Sequence, residues 1–220
     1  MNNLSLIEAI ESRKSVKEFD SSVKIPRAEM EEMIALATKA PSSINLQPWR
    51  FVIVESEEAK AAIKDLVRFN TRQLETSAAF ILVLSDNTHI HDIEKVYGKS
   101  VKLGYMPQEV MTTNVAALKE SLSNAPESYI QMQGMMDANL AAMQLMLVAK
   151  DYGYDTNPIG GFERDEVMAA LSINKERYMP VMFIAIGKGV KAPHDSSRHE
   201  LEEIMSYNHG DADGIVGKSS

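Results

Sequence analysis

Cysteine is absent from this chain of 220 residues, which excludes disulfides, thiolate metal sites, iron–sulfur clusters and a cysteine nucleophile, and suits a reducing compartment. Positive charge is also in short supply. Lys and Arg total 23 against 31 Asp and Glu, a net charge of −8, so non-specific attraction to a polyphosphate or an anionic bilayer is disfavoured. Neither nucleic acid nor membrane is an expected partner. No run approaches the roughly 18 apolar residues of a membrane span. The segment Met1–Glu8 has no basic stretch followed by an apolar one, and the expected location is the cytoplasm. Missing as well are the G-x-G-x-x-G and P-loop patterns that cradle phosphates, the H-E-x-x-H metal spacing and the G-x-S-x-G nucleophile elbow. His89, His91, His194, His199 and His209 fall at no convincing metal-ligand spacing. His89 and His91 read as part of a polar loop, and no metal is expected.

What the chain does contain is a globular composition, 45% hydrophobic and 25% charged, which suits one domain with its own core. That domain is placed at residues 1–207. The 208–220 tail has little to bury and is expected to fray unless a partner subunit holds it.

Ser5 and Glu8 form a capping-box pattern beside Leu6, Ile7 and Ile10, predicting a short helix that ends near Arg13. Pro26 fits the first turn of a second helix, in which Met30, Met33, Ile34 and Ala37 recur at helical spacing until Pro41. Phe51–Val54, Ala79–Leu84 and Pro180–Gly187 are apolar runs of strand length, and Ser56 caps a helix running toward Leu66. Residues 86–127 are polar and weakly periodic, and predict a mobile helical excursion that shapes substrate access. Tyr97, Tyr105, Met106 and Met111 are candidates there for a lid or for ordinary packing. From Gln131 to Lys150, Met132, Met135, Met136, Leu140, Met143 and Leu147 repeat at threes and fours beside Ala138, Ala141 and Ala142. This predicts a long buried helix whose methionines fill a core or a subunit interface. Asp165–Leu171 predicts a further short helix.

Three segments are candidates for chemistry. Arg13-Lys14-Ser15-Val16-Lys17 sets three cations and a hydroxyl where a helix gives way to extended chain. Alternation puts Arg13, Ser15 and Lys17 on one side and Lys14 elsewhere, a donor set suited to phosphate; the same cations also complement a helix C-terminus. The loop Pro41–Trp49 carries Ser42, Ser43, Asn45 and Gln47 between two prolines, so its polar groups are pre-positioned for a planar heterocycle, or simply held rigid with Trp49 in the core. Asn157-Pro158-Ile159-Gly160-Gly161-Phe162 reads as a tight loop. Its paired glycines allow positive φ and close approach of a ligand to a peptide N–H, with a plain turn as the alternative.

In this order, Arg13–Phe19, Ala40–Phe51 and Pro158–Phe162 resemble the FMN-dependent nitroreductase family, and the likeness runs from about Leu6 to about Ile204. The resemblance implies an α+β fold, a central mixed β-sheet flanked by helices, in an intertwined homodimer with a long central helix and a C-terminal extension that embraces the partner. It implies that Arg13, Ser15 and Arg198 contact phosphate and ribityl, with Lys14 beside them, and that Lys17 lies near flavin N1 and O2. Asn70 faces the pyrimidine edge with Gln73 nearby, where some relatives carry Lys. Pro41, Ser42, Ser43 and Asn45 come from the second subunit. Pro158, Ile159, Gly160 and Gly161 form the wall that offers an N–H to flavin N5; Gly160 stands where some relatives carry an acid. Arg198 is flanked by Ser196, Ser197 and His199 where relatives often have another base.

The activity implied is an NAD(P)H-dependent oxidoreductase that passes hydride through FMN to a small acceptor, a nitroaromatic or quinone, in ping-pong order. No side chain need act as acid or base. The same scaffold also serves dehalogenases, enone reductases and flavin reductases, and a non-catalytic flavin-binding or redox-sensing module is the reading from another class.

Overall fold

Ser5 caps α1 (Leu6–Ser12) as its sequence foretells: Ser5 Oγ accepts from Glu8 N at 3.2 Å, and the Glu8 carboxylate accepts from Ser5 N at 2.7 Å. The structure is a computed structural model and describes residues 2–210. Of α1 only Ala9 is buried, while Leu6, Ile7 and Ile10 face outward. α2 (Arg27–Ala37) follows Pro26 at its N-cap and buries Met30, Met33 and Ala37. It ends at Thr38, short of Pro41, because Lys39 N and Ala40 N already turn back onto Leu36 O and Ala37 O.

The sheet contains β1 (Trp49–Val54), β2 (Ala79–Asp86), β3 (Asp155–Ile159) and β4 (Tyr178–Gly187) in the order β1-β2-β4-β3. All three strand pairings are antiparallel. The expected mixed character is reduced to one isolated parallel bridge, Ser15 to Thr156, which lays the N-terminal segment along β3. β2 is buried at every position, which is why it reads as a continuous apolar run rather than an alternating one. Ile81 and Val83 face a core shared with α2 and the central helix, while Phe80, Leu82 and Leu84 face one shared with Val16, Phe19 and the helices α3 (Glu57–Ile63), α4 (Thr71–Thr76) and α8 (Arg164–Ala170).

Asn157, Pro158 and Ile159 were expected in a loop but belong to β3, paired with Ala185, Ile184 and Phe183. β3 is an edge strand, and a proline, lacking an N–H, is tolerated there. The polar excursion folds into α5 (Ile93–Lys102) and α6 (Gln108–Ser123), which share a small core of Leu46, Ile93 and Val115. Tyr97 and Met111 pack against that core, so they are packing residues.

The central helix α7 (Glu127–Asp151) is not buried all round. Ala138, Ala141, Ala142, Leu145 and Ala149 are inaccessible against the sheet, whereas Met132, Met135, Met136, Leu140 and Met143 are exposed. The alanines allow the helix axis to approach the sheet closely, and this leaves the longer side chains on the opposite face. The chain closes with α9 (Leu201–Ile204), where Leu201, Ile204, Met205 and Tyr207 are exposed. Of the 208–220 tail, residues 211–220 lie outside the described residues. No helix among the described residues is long and apolar enough to cross a membrane.

Candidate functional site

After α1 the chain becomes extended, and Val16 anchors it: the side chain is buried and the N–H donates to Thr156 O at 3.1 Å. Alternation then turns Ser15 and Lys17 outward, as predicted. Both line a cavity of about 220 Å³ with Glu18, Arg72, Lys191 and His194. Three of these residues are permanent cations. Glu18 offsets part of that charge; its hydrogen bond from Lys191 at 2.6 Å, reinforced by Arg72 at 3.6 Å, lowers its carboxyl pKa. Lys14 reaches Asp195 at 3.5 Å, bringing the C-terminal extension beside the same segment. Arg198 is not drawn in, because its guanidinium donates to its own neighbours Ser196 and Ser197.

The bridge at Thr156 orients the rest of this wall. β3 runs from Thr156 to Ile159 and delivers Gly160 and Gly161 to the loop that carries Asn70. Asn70 Nδ2 donates to Gly161 O at 3.1 Å and to Val67 O at 3.0 Å, and its Oδ1 accepts from Gln73 Nε2 at 3.2 Å. Glu163 clamps the same two loops: its N–H donates to Leu66 O and its carboxylate pairs with Arg68 at 2.8 Å. Gly160 and Gly161 do not take the positive φ expected of them; among described glycines only Gly104 and Gly153 do. What their missing Cβ leaves is room, since a Cβ on Gly160 would meet nothing within 4 Å. Beside this wall, Thr156 Oγ1 is buried without a hydrogen-bond partner.

The Pro41–Trp49 loop is held away from this wall by α7. Asp137, 3% exposed, accepts from Ser43 N at 2.9 Å and from Ser43 Oγ at 3.1 Å, and Gln133 Nε2 donates to Ser43 Oγ at 2.7 Å. Ser42 Oγ accepts from Gln47 N at 3.1 Å. Ile44, Asn45 and Gln47 have φ of 45°, 59° and 52°, a left-handed conformation that costs each L-residue energy and concentrates at functional sites. Asn45 and Gln47 line a different cavity, with Arg50 and α5. Of the N-terminal set the cavity therefore collects Ser15 and Lys17, while Arg13 caps the end of α1, Lys14 pairs with Asp195, Asn70 is tied to Gly161, and Ser43 is tied to α7. Arg72, Lys191, Asp137 and Gln133 were not anticipated. Arg72 stands two residues from Asn70 and was the one legible signal; the α7 pair is hidden in a helix whose pattern reads as apolar.

The sequence profile described as the nitroreductase family matches residues 10–188. This chain belongs to the nitroreductase family. Its nitroreductase fold is close to a crystal structure from Exiguobacterium sibiricum, a provisionally named nitroreductase in complex with FMN, which is 42% identical with a TM-score of 0.92, covering 94% of this chain and 99% of that one. YdgI of Bacillus subtilis, provisionally named an NAD(P)H nitroreductase, is 40% identical over 91% of this chain and 96% of its own. The CLA biosynthesis enone reductase of Lactiplantibacillus plantarum is 34% identical over 93% of this chain and 95% of its own. As a member of the nitroreductase family with such relatives, the chain is an NAD(P)H-dependent oxidoreductase.

Proposed function

We infer that this chain is an FMN enzyme that moves hydride from NAD(P)H to a small organic acceptor, working as a homodimer in the cytoplasm. The observation that carries the reading is the division of the site. Ser15 and Lys17 line a cationic cavity where the N-terminal segment bridges β3, the same strand leads to the Gly160–Gly161 turn held by Asn70, and the strained Ile44–Gln47 segment lines a different cavity. A second copy supplies the missing half.

The residues fit the cofactor. The cationic cavity suits a phosphorylated, electron-rich ligand, and Gly160 leaves open space where a Cβ would project. Ser15, Arg13 and Lys14 would bind the phosphate and ribityl chain, with Arg198 joining when the extension rearranges. Asn70 and Gln73 would meet the pyrimidine edge, and Pro158, Ile159, Gly160 and Gly161 would line the ring. Pro41, Ser42, Ser43 and Asn45 would close over it from the partner. FMN, when bound, supplies the two-electron chemistry, taking hydride from the nicotinamide and giving it to the acceptor. The protein binds, orients and excludes water. Lys17 would place a positive charge where reduction accumulates negative charge, favouring the reduced form.

The exposed apolar faces of α1, α7 and α9 are the seam: Leu6, Ile7, Met136 and Leu140 on the first two, Leu201 and Ile204 on the last. Exposed large apolar side chains of this kind are what obligate interfaces bury. Nicotinamide and acceptor occupy one pocket in turn, giving ping-pong kinetics. Nitroaromatics and quinones are the first acceptors to test, and the enone reductase among the relatives adds conjugated enones.

Purified protein should be yellow, sediment as a dimer, and oxidise NADH or NADPH under argon only when an acceptor is added. A monomeric protein with no flavin spectrum would overturn the reading. A yellow protein that consumes NAD(P)H no faster than free FMN would leave a flavin-binding module instead.

A further inference from the structure

A second cluster of cations, outside the cavity around Lys17, lies between the Asn45–Arg50 segment and α5. There Arg50, Lys95 and Lys99 line a cavity of about 490 Å³ with Asp92 as its one acid, and Leu46, Val96, Leu103 and Tyr105 supply its apolar wall. That volume is in the range of small-molecule sites. The positive charges are only partly spent internally. Arg50 is paired with Asp86 at 2.9 Å, Arg50 and Lys95 approach the single Asp92 at 3.8 and 3.9 Å, and Lys99 makes no ion pair among the described residues. In a chain of net charge −8, this is a local excess of the scarcer sign.

The local fold holds that face open. α5 turns Ile93 and Tyr97 into the small core with α6, and helical spacing then sends Lys95, Val96 and Lys99 toward the cavity. Lys95 and Lys99, one turn apart, repel each other mildly; Lys95 is offset by Asp92, and Lys99 sits in the last turn of α5, where its charge also faces the helix C-terminus. Gly104, at φ 74°, closes α5 with Tyr105 N donating to Ser100 O at 2.9 Å, and this fixes Tyr105 at the cavity rim.

We propose that this cavity reads an anionic group on a partly apolar small molecule, with Lys99 as the principal specificity-determining residue and Lys95 as its neighbour. The proposal rests on the oxidoreductase reading, because Asn45 belongs both to this lining and to the loop assigned to the partner's flavin. The pocket would therefore adjoin the reacting centre. The anion has two sources, a carboxylate on the acceptor or a phosphate of the nicotinamide nucleotide.

The test compares FMN-loaded wild type with Lys99→Gln and Lys95→Gln/Lys99→Gln. The acceptors are 4-nitrobenzoate and its methyl ester, and the donors are NADH and NADPH. A half-exposed charge contact predicts a drop of about fivefold in the kcat/KM ratio of acid to ester for the single variant, and about tenfold for the double. Raised salt should shrink the wild-type ratio in the same direction. If the nucleotide is the anion, the ratio holds while KM for NADH or NADPH rises by a similar factor. Calorimetric titration of 4-nitrobenzoate and the ester into oxidised holoprotein reads binding without turnover. Equal values for all variants with all four compounds would overturn the proposal. If wild type fails to oxidise NAD(P)H, the oxidoreductase reading falls instead, and the titration still decides whether the cavity prefers the acid.

Discussion

Replacing Asp137 should loosen the grip on FMN far more than its distance in sequence from the loop suggests. Three loop residues, Ile44, Asn45 and Gln47, hold left-handed φ, at roughly 1 kcal/mol each, or about 3 kcal/mol in all. Asp137 opposes this with two hydrogen bonds to a charged acceptor, from Ser43 N and Ser43 Oγ, worth about 1.5 kcal/mol or more apiece. The two quantities nearly cancel, so the loop stands close to balance. Asp137→Ala should lower the population of the ordered loop by about a hundredfold, and raise the FMN dissociation constant by up to that factor. Asp137→Asn keeps an acceptor for Ser43 N but loses the charge, for an effect of about tenfold. Ser43→Ala keeps the N–H bond and should fall between wild type and Asp137→Ala. Recovery of flavin fluorescence on release, followed in a dilution series, gives the constants, while thermal unfolding of the flavin-free proteins separates loop loosening from loss of fold. Wild-type affinity in Asp137→Ala, with the fold intact, would refute the argument.

Lys17→Ala should retain much of the FMN yet slow its reduction by NAD(P)H about tenfold, since it removes a charge stabilising the reduced form; unchanged stopped-flow rates would remove Lys17 from that role. Gly134 faces Ser85: an added Cβ would collide with Ser85 Oγ, which is itself buried and unpartnered. Gly134→Ala should destabilise by about 1–2 kcal/mol, and adding Ser85→Ala should restore stability to at least wild type, because the helix gains alanine and loses an unsatisfied hydroxyl; thermal unfolding of the four-member cycle checks it. Asp86 is fully buried, and although burial alone raises its pKa, Arg177, Thr88 and Arg50 outweigh that and hold it at about 2. Its folded pKa lies below the unfolded value, so its contribution of about 2 kcal/mol is present above pH ~4 and lost as pH falls toward 2. Asp86→Asn should flatten the acid limb of the stability curve; an unchanged limb would contradict the assignment.

Much of the fold was legible because its signals are local. The Ser5–Glu8 box, the Ser56 cap and the unbroken apolar run of β2 each report on neighbouring residues, and each stands where expected. Pro158 and the paired glycines misled for the converse reason: an edge strand tolerates a proline, and the glycines are needed for space rather than for φ. For α7 the sequence left open whether its methionines fill a core or a subunit interface, since periodicity marks an apolar stripe without saying whether a sheet or a second chain covers it; the sheet takes the alanine face and leaves the methionines exposed. Around the candidate site, Ser15, Lys17, Asn70 and Gln73 were proposed from motif order, and of these Ser15 and Lys17 line the cationic cavity. Asp137 was not, because its partner Ser43 is 94 positions away, and Lys191 enters the cavity only through the path of the C-terminal extension.

The absence of cysteine leaves thioethers as the only sulfur that an oxidant can attack in this chain, and Met132, Met135, Met136 and Met143 offer them in one row along a helix. Sulfoxide formation would put polar oxygens on that row while leaving the alanine side and the sheet untouched. Under the proposed homodimer, oxidation of that row in the dissociated chain would weaken reassociation before the fold is lost, and methionine sulfoxide reductase would reverse it.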